Sequence, residues 1–259
     1  MSAAAAPGAH DGAVLRAEGL GKRFAGGWVL EGVDLALHPG EIVGLVGQGG
    51  HGKSVLLKCL AGLLAPDAGR VVAFGEDLAT LSSVRLAKVR EAYGYVFQNY
   101  ALFDFMTVAD NVAFPLRQRG DADERAVKAL VRERLAEVGL AAAVGLYPRE
   151  LSGGMKKRVG LVRATVTDPD VILYDDPSAG LDPVTSSKIF ELIARMQERR
   201  AGSAAIVVSH DIDRMRAICA RYVMLERGRV VFEGGEEHVA GAPRAVSDFF
   251  DLDGAGVLA

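Results

Sequence analysis

The chain has 259 residues, half of them hydrophobic, a net charge of −3 and a pI near 6.0. That composition can bury one large domain, or one domain with an inserted lobe, and offers no global positive charge for nucleic-acid binding. Nothing reads as a membrane span: the longest nearly apolar stretch, Val138 to Tyr147, is about half the length a bilayer needs.

Met1 to Gly12 is small-residue sequence without a basic start or an apolar signal core, and reads as a disordered lead-in. Strand-like runs follow at Val14–Ala17 and Val29–Leu37. After the Pro39-Gly40 turn, Glu41–Val46 reads as a buried strand and Lys53–Leu64 as a helix. Pro66–Gly69 is a turn, Arg70–Phe74 a short strand and Tyr93–Phe97 another. The middle then changes character. Val127, Leu130, Val131, Leu135 and Val138 share one helical face, and no clear strand occurs from about Phe105 to Asp170. A helical lobe, about 100–168, is therefore expected inside an α/β core that runs over 13–240. The core resumes with strand Val171–Tyr174. A helix marked by Ile189, Leu192, Ile193 and Met196 follows, then strand Ala205–Ser209 and a hairpin at Tyr222–Leu225 and Val230–Phe232. Strands alternating with helices imply a largely parallel sheet. Short helices are expected from Glu236 to Phe250, within a C-terminal tail over 241–259, where Phe249-Phe250 packs on the core or on a neighbour. Cys59 and Cys219 lie in apolar stretches without metal-ligand spacing and read as reduced core residues of a cytosolic protein.

Gly47-Gln48-Gly49-Gly50-His51-Gly52-Lys53-Ser54 fits the phosphate-binding pattern G-x-x-x-x-G-K-[ST], in the strand–loop–helix context that the pattern requires. The glycines let backbone N–H groups turn inward toward a triphosphate, and the helix that follows presents its positive end. Lys53 would reach the β- and γ-phosphates and the Ser54 hydroxyl would hold Mg²⁺. His51 is unusual inside such a loop and is expected as a solvated side chain. Val55 stands where a second hydroxyl could contact the nucleotide. Downstream, Val171–Tyr174 delivers Asp175 and Asp176 at a strand end. Alone, that pair could be a solvated turn. Behind a phosphate loop, Asp175 suits Mg²⁺ coordination and Asp176 the attacking water.

The order of motifs resembles the ATPase subunits of ATP-binding cassette (ABC) transporters over almost the whole chain. Leu151-Ser152-Gly153-Gly154-Met155 looks like that family's signature, although Ser152 would also make a good helix cap by itself. Gln98 resembles its Q-loop, with a role at the metal and in catalysis. Ser178–Asp182 resembles the D-loop, which adds Asp182 to the nucleotide contacts, and His210 the switch histidine. Phe24 falls where an aromatic stacks on adenine. The resemblance implies a P-loop NTPase core with an N-terminal antiparallel β subdomain and an inserted helical subdomain. It further implies ATP and Mg²⁺, and two copies paired head to tail, with Leu151, Ser152, Gly153 and Gly154 of one serving the γ-phosphate of the other. Separate multispan permease subunits are implied too, with the chain peripheral on the cytoplasmic face of the cell membrane.

Phe97–Leu116, together with Tyr147–Met155, looks narrower still: it is similar to the ATPases of Mla/Mce-type lipid transporters. That likeness implies phospholipid or another hydrophobic substrate, with periplasmic or membrane-anchored lipid-binding subunits as further partners. The alternatives are the ATPase of a polar-solute importer of the amino acid type and a non-transport ABC ATPase of translation or repair. The single cassette and the short segment between Gln98 and Leu151 stand against the last, and no nucleic-acid partner is expected. One position departs from the family, which usually carries Glu where this chain has Asp176. Either hydrolysis is slow and the ATP-bound dimer persists, or backbone or water shifts restore the geometry or His210 carries more of the water positioning; compensation is expected because every other motif is present.

Overall fold

The computed structural model describes residues 12–120 and 123–255. Apart from Gly12, the expected lead-in lies outside the described residues, as do tail residues 256–259. The chain opens with β1 (Leu15–Phe24), β2 (Gly27–Leu37), β3 (Ile42–Val46), α1 (Lys53–Leu60), β4 (Ala68–Ala73), β5 (Glu76–Asp77), α2 (Ser83–Arg90) and β6 (Tyr93–Val96). Helices α3 (Val108–Arg119), α4 (Glu124–Glu137) and α5 (Gly153–Thr165) follow. β7 (Val171–Asp175), α6 (Pro183–Arg199), β8 (Ala204–Val208), α7 (Ile212–Arg216), β9 (Arg221–Glu226), β10 (Arg229–Gly234) and α8 (Arg244–Ala255) complete it.

Two sheets result. The first is antiparallel, ordered β2-β1-β4-β5; the second is ordered β10-β9-β3-β8-β7-β6. In the second, β9, β3, β8, β7 and β6 run parallel and β10 closes the edge as an antiparallel hairpin. Between β6 and β7 the described chain is helical, and α3, α4 and α5 share their own core of Val112, Val131, Leu135 and Val159.

Three local details differ from the sequence pattern. β1 runs on past Ala17 to Phe24 because register shifts between Ala17 and Arg23 break the inside–outside alternation that marks a strand. α1 stops at Leu60, four residues early, because Gly62 takes a left-handed φ of 65° and the Leu63 N–H turns back to Lys58 O at 2.9 Å. α2 has one buried residue, Val89, and so no apolar period to read.

One core fills the space between the sheets, with Leu15, Leu45, Leu57 and Leu225 fully buried. The other covers the opposite face of the parallel sheet through Tyr174, Ile189 and Val207. α8 folds back onto that second core. Phe250 is buried with its ring 5.1 Å from Tyr222, and Phe249 packs beside it, so the pair belongs to this chain's own core. Cys59 and Cys219 are buried free thiols, and burial pushes them up to about 11 and about 12.

Candidate nucleotide site

Four strand ends build the site. β3 feeds the glycine loop, β6 leads to Gln98, β7 ends in Asp175 with Asp176 next, and β8 leads to His210. Because β3, β8, β7 and β6 are consecutive parallel neighbours, their C-terminal ends lie side by side, where open parallel sheets bind ligands. Between them is an open cleft of about 350 Å³. Gly49, Gly50, Gly52, Lys53, Ser54 and Val55 line it together with Gln98, Asp175, Asp176 and His210.

The loop's shape depends on missing side chains. Gly47 has φ 132°, and a Cβ there would collide with the Leu225 carbonyl. Gly52 has φ 100°, and a Cβ would sit 2.9 Å from Val29 O. Gln48 and Gly49 are exposed on the loop. Lys53 is buried, and its Nζ donates to Gly47 O (2.6 Å) and Gln48 O (2.8 Å), so the ammonium sits inside the curve of the loop. Burial lowers its pKa, opposed by the Asp176 and Asp175 carboxylates. His51 is not the solvated side chain expected: it is partly buried, and its Nδ1 lies out of water with no hydrogen-bond partner among the described residues.

Ser54 Oγ donates to Asp175 Oδ1 at 2.7 Å, and Tyr95 Oη on β6 donates to Asp175 Oδ2 at 3.3 Å. Burial first, and the Asp175 charge second, push the Tyr95 phenol well above its ordinary value, so it acts as a donor. A hydroxyl and a carboxylate this close, on the rim of a phosphate-shaped loop, are the oxygen pair that Mg²⁺ takes alongside substrate phosphates, so the residues fit that cation.

Asp176 has the left-handed φ of 49°, rare for a residue with a Cβ. Its N–H donates to Val208 O at 3.0 Å, and its carbonyl accepts from Lys157 Nζ at 3.3 Å. The sharp turn presents the carboxylate to the cleft, with Oδ2 3.9 Å from His210 Nε2. Burial raises the Asp176 pKa against the charges of His210, Lys157 and Lys53, while Asp175 adds to the rise.

The other expected residues lie outside this cleft. Leu151 is buried. Ser152 caps α5 by accepting from Met155 N at 3.3 Å and, like Gly153, is exposed. A Cβ on Gly154 would stand 2.8 Å from Thr185 on α6. Asp182 caps α6, accepting from Thr185 N at 3.0 Å and Thr185 Oγ1 at 2.6 Å. Phe24 stands at the tip of the β1–β2 hairpin, half exposed, with Lys22 Nζ 5.6 Å from its ring centroid.

Sequence reasoning missed Lys157 and Tyr95. Lys157 stands in a run of basic residues that looks like a solvated face, yet it is 2 % exposed. The available signal was its place in the stripe Lys157, Gly160 and Leu161, the spacing of one buried helix face.

A parallel-stranded core with a glycine loop at its central strand, a helical insertion and an exposed second glycine helix is the architecture of an ABC cassette. Residues 30–179 match the family model "ABC transporter", and the chain belongs to that family. Over 210 residues it is 43% identical to the methionine import ATP-binding protein MetN of Caulobacter vibrioides, covering 81% of this chain and 63% of that one. Over 226 residues it is 39% identical to the probable ribonucleotide transport ATP-binding protein mkl of Mycobacterium tuberculosis, covering 87% and 63%. The chain therefore spans under two thirds of the length of either relative. Among solved structures, a dimeric ATP-binding cassette in a post-hydrolysis state with ADP and Pi superposes with a TM-score of 0.79 at 30% identity, over 85% of this chain and 98% of that one.

Proposed function

We propose that this chain is the ATP-binding and ATP-hydrolysing subunit of a membrane transporter, with Mg²⁺ as its cofactor. The observation that carries this is the convergence of Lys53, the Ser54–Asp175 pair, Gln98 and the Asp176–His210 pair at four neighbouring strand ends. Loop N–H groups from Gly47 to Gly52, His51 included, and the Lys53 ammonium hold the β- and γ-phosphates. Ser54, Asp175 and Gln98 would hold Mg²⁺, which when bound neutralises phosphate charge. Asp176 and His210 orient a water against the γ-phosphorus. The new P–O bond forms as the bond to the bridging oxygen breaks, and Asp176 takes the proton. Phe24 stacks on adenine.

The exposed start of α5 has no use within its own cleft. In this reading two copies pair head to tail, and the Ser152 hydroxyl with the N–H groups of Gly153 and Gly154 meets the partner copy's γ-phosphate. Asp182, at the start of α6, lies beside the same joint. The similarity to a dimeric cassette supports the pairing.

An open groove lined by Tyr93, Phe97, Phe103, Phe114 and Pro115, with Phe105 76% exposed beside Phe103, supports docking of a permease segment. That contact would hold the chain on the cytoplasmic face of the cell membrane; among the described residues, no helix is long and apolar enough to cross it.

For the cargo, the Phe97–Leu116 segment supports phospholipid or another hydrophobic molecule, handed on by lipid-binding subunits. A second reading, a polar solute, is favoured by relatives named for methionine import and ribonucleotide transport. The test is capture of the tagged full chain from its own membranes. ATP hydrolysis abolished by Asp176→Asn supports the ATPase, and its absence from the captured complex overturns it. Bound phospholipid supports the first cargo, and a bound polar solute or its binding protein the second.

A further inference from the structure

We propose that Lys157 is a positioning residue for hydrolysis: its ammonium clamps the backbone carbonyls of Gln98 and Asp176 together and so sets how far the short Asp176 carboxylate reaches. This rests on the ATPase reading above.

The register of the sheet shows what the clamp does. β6 and β7 pair in parallel up to Val96 opposite Tyr174. Two residues further on, Gln98 and Asp176 stand at equivalent places just past the last paired residues. Asp176 has by then turned left-handed, so the ladder between the two strands has stopped. Lys157 Nζ replaces it, donating to Gln98 O at 2.7 Å and to Asp176 O at 3.3 Å. Asp176 is thereby held at both ends of its peptide unit, its N–H by Val208 and its carbonyl by Lys157.

Packing alone does not explain a lysine here. The side chain is 2 % exposed, and burial depresses its pKa because an ammonium is costly to take out of water. Among the described residues it forms no salt bridge within 4.0 Å; its close partners are the two carbonyls and the face of Tyr100, 5.1 Å from the ring centroid. A methionine would fill similar volume without that cost. What methionine lacks is an N–H donor placed between two strand ends that both line the nucleotide cleft.

Lys157 also belongs to α5, the helix whose exposed start is assigned above to the partner copy's nucleotide. Further along α5, Arg163 donates to Ala101 O at 2.7 Å. The helix therefore holds the segment after β6 at two points and the Asp176 turn at one. Aspartate is one methylene shorter than glutamate, so its carboxylate depends more on where the backbone is fixed. Misplacing a reacting group by about an ångström costs roughly a hundredfold in rate.

The experiment measures steady-state hydrolysis in the complex captured on the tagged full chain. Lys157→Met should lower kcat by about tenfold or more and leave KM for ATP within about twofold, because the phosphate loop is untouched. Lys157→Gln, which keeps N–H donors without the charge, should retain at least about a third of kcat. In an Asp176→Glu background the loss from Lys157→Met should shrink to about threefold or less, since the longer carboxylate needs less from the backbone. Wild-type kcat in Lys157→Met, equal losses in Met and Gln variants, a KM rise matching the kcat fall, or the same loss in both backgrounds would each overturn the assignment. If wild type hydrolyses ATP and Asp176→Asn does not, those outcomes sink the Lys157 role alone. If the wild-type complex does not hydrolyse ATP, the ATPase reading falls and the Lys157 role with it.

Discussion

Ser54 Oγ donates a 2.7 Å hydrogen bond to Asp175 Oδ1, joining the first turn of α1 to the end of β7 across 121 residues of chain. That contact ties the start of α1 to the acidic strand end, and the Mg²⁺ seat proposed above is built on it. Ser54→Ala and Asp175→Asn should each weaken Mg²⁺-dependent ATP binding by roughly 10- to 100-fold, the worth of a hydrogen bond to a charged group. ATP titrations with and without Mg²⁺ check this. An equal loss in the absence of Mg²⁺ would show that the pair serves only the fold.

Asp176→Asn keeps the shape of the side chain and removes its basicity. It should lower kcat by roughly 10²- to 10⁴-fold while ATP binding persists. Asp176→Glu should stay within the same decade as wild type, because the left-handed turn already brings the shorter carboxylate to 3.9 Å from His210. Single-turnover hydrolysis reads both; a Glu variant far faster than wild type would make this a deliberately slow enzyme.

Ser152 has one observed role, as a helix cap, and one proposed role, at the partner copy's nucleotide, and the two separate experimentally. As the cap of α5, its loss in Ser152→Ala should reduce stability by about 1 kcal/mol, read from urea melts. As a donor to the partner copy's nucleotide, its loss should also lower kcat in protein that is still fully folded. A stability change with unaltered kcat leaves the cap alone standing.

Stability in acid should follow Glu41. Burial pushes its carboxyl up, but hydrogen bonds and charge from Arg221, at 2.6 and 2.9 Å, together with the His38 N–H, hold it below its ordinary 4.5. A carboxyl depressed by folding adds stability above its unfolded value and loses it as pH falls through the folded one. Glu41→Gln should therefore cost about 2 kcal/mol near neutral pH. The gap to wild type should narrow as pH falls below the ordinary 4.5 and close once it passes the lowered folded value, as Glu41 itself takes up a proton. Urea melts at two pH values test the sign.

Much of the site could be read in the sequence because its chemistry is local. Gly47 to Ser54 is one continuous loop, and Asp175-Asp176 ends one continuous apolar run, so spacing alone placed them. What escaped depends on neighbours distant in sequence. Lys157 looks like surface until α5 is laid against the end of β6. Tyr95 looks like an ordinary strand residue until the parallel register sets its hydroxyl beside Asp175. The left-handed turn at Asp176 has no glycine to announce it, and it is fixed by Val208 and Lys157 from other elements. β1 escaped in part because its bulges erase the period that marks a strand.

The start of α5 is exposed and lies outside the lining of the cleft that holds Lys53. In the proposed head-to-tail pair, defects in the two places therefore fall in different composite sites. A chain carrying Lys53→Ala and a chain carrying Ser152→Ala would each be impaired alone. Mixed, they form some pairs in which both lesions fall in one site while the other is assembled wholly from intact parts. Two impaired preparations would then gain hydrolysis on mixing, as genetic complementation carried out in a test tube.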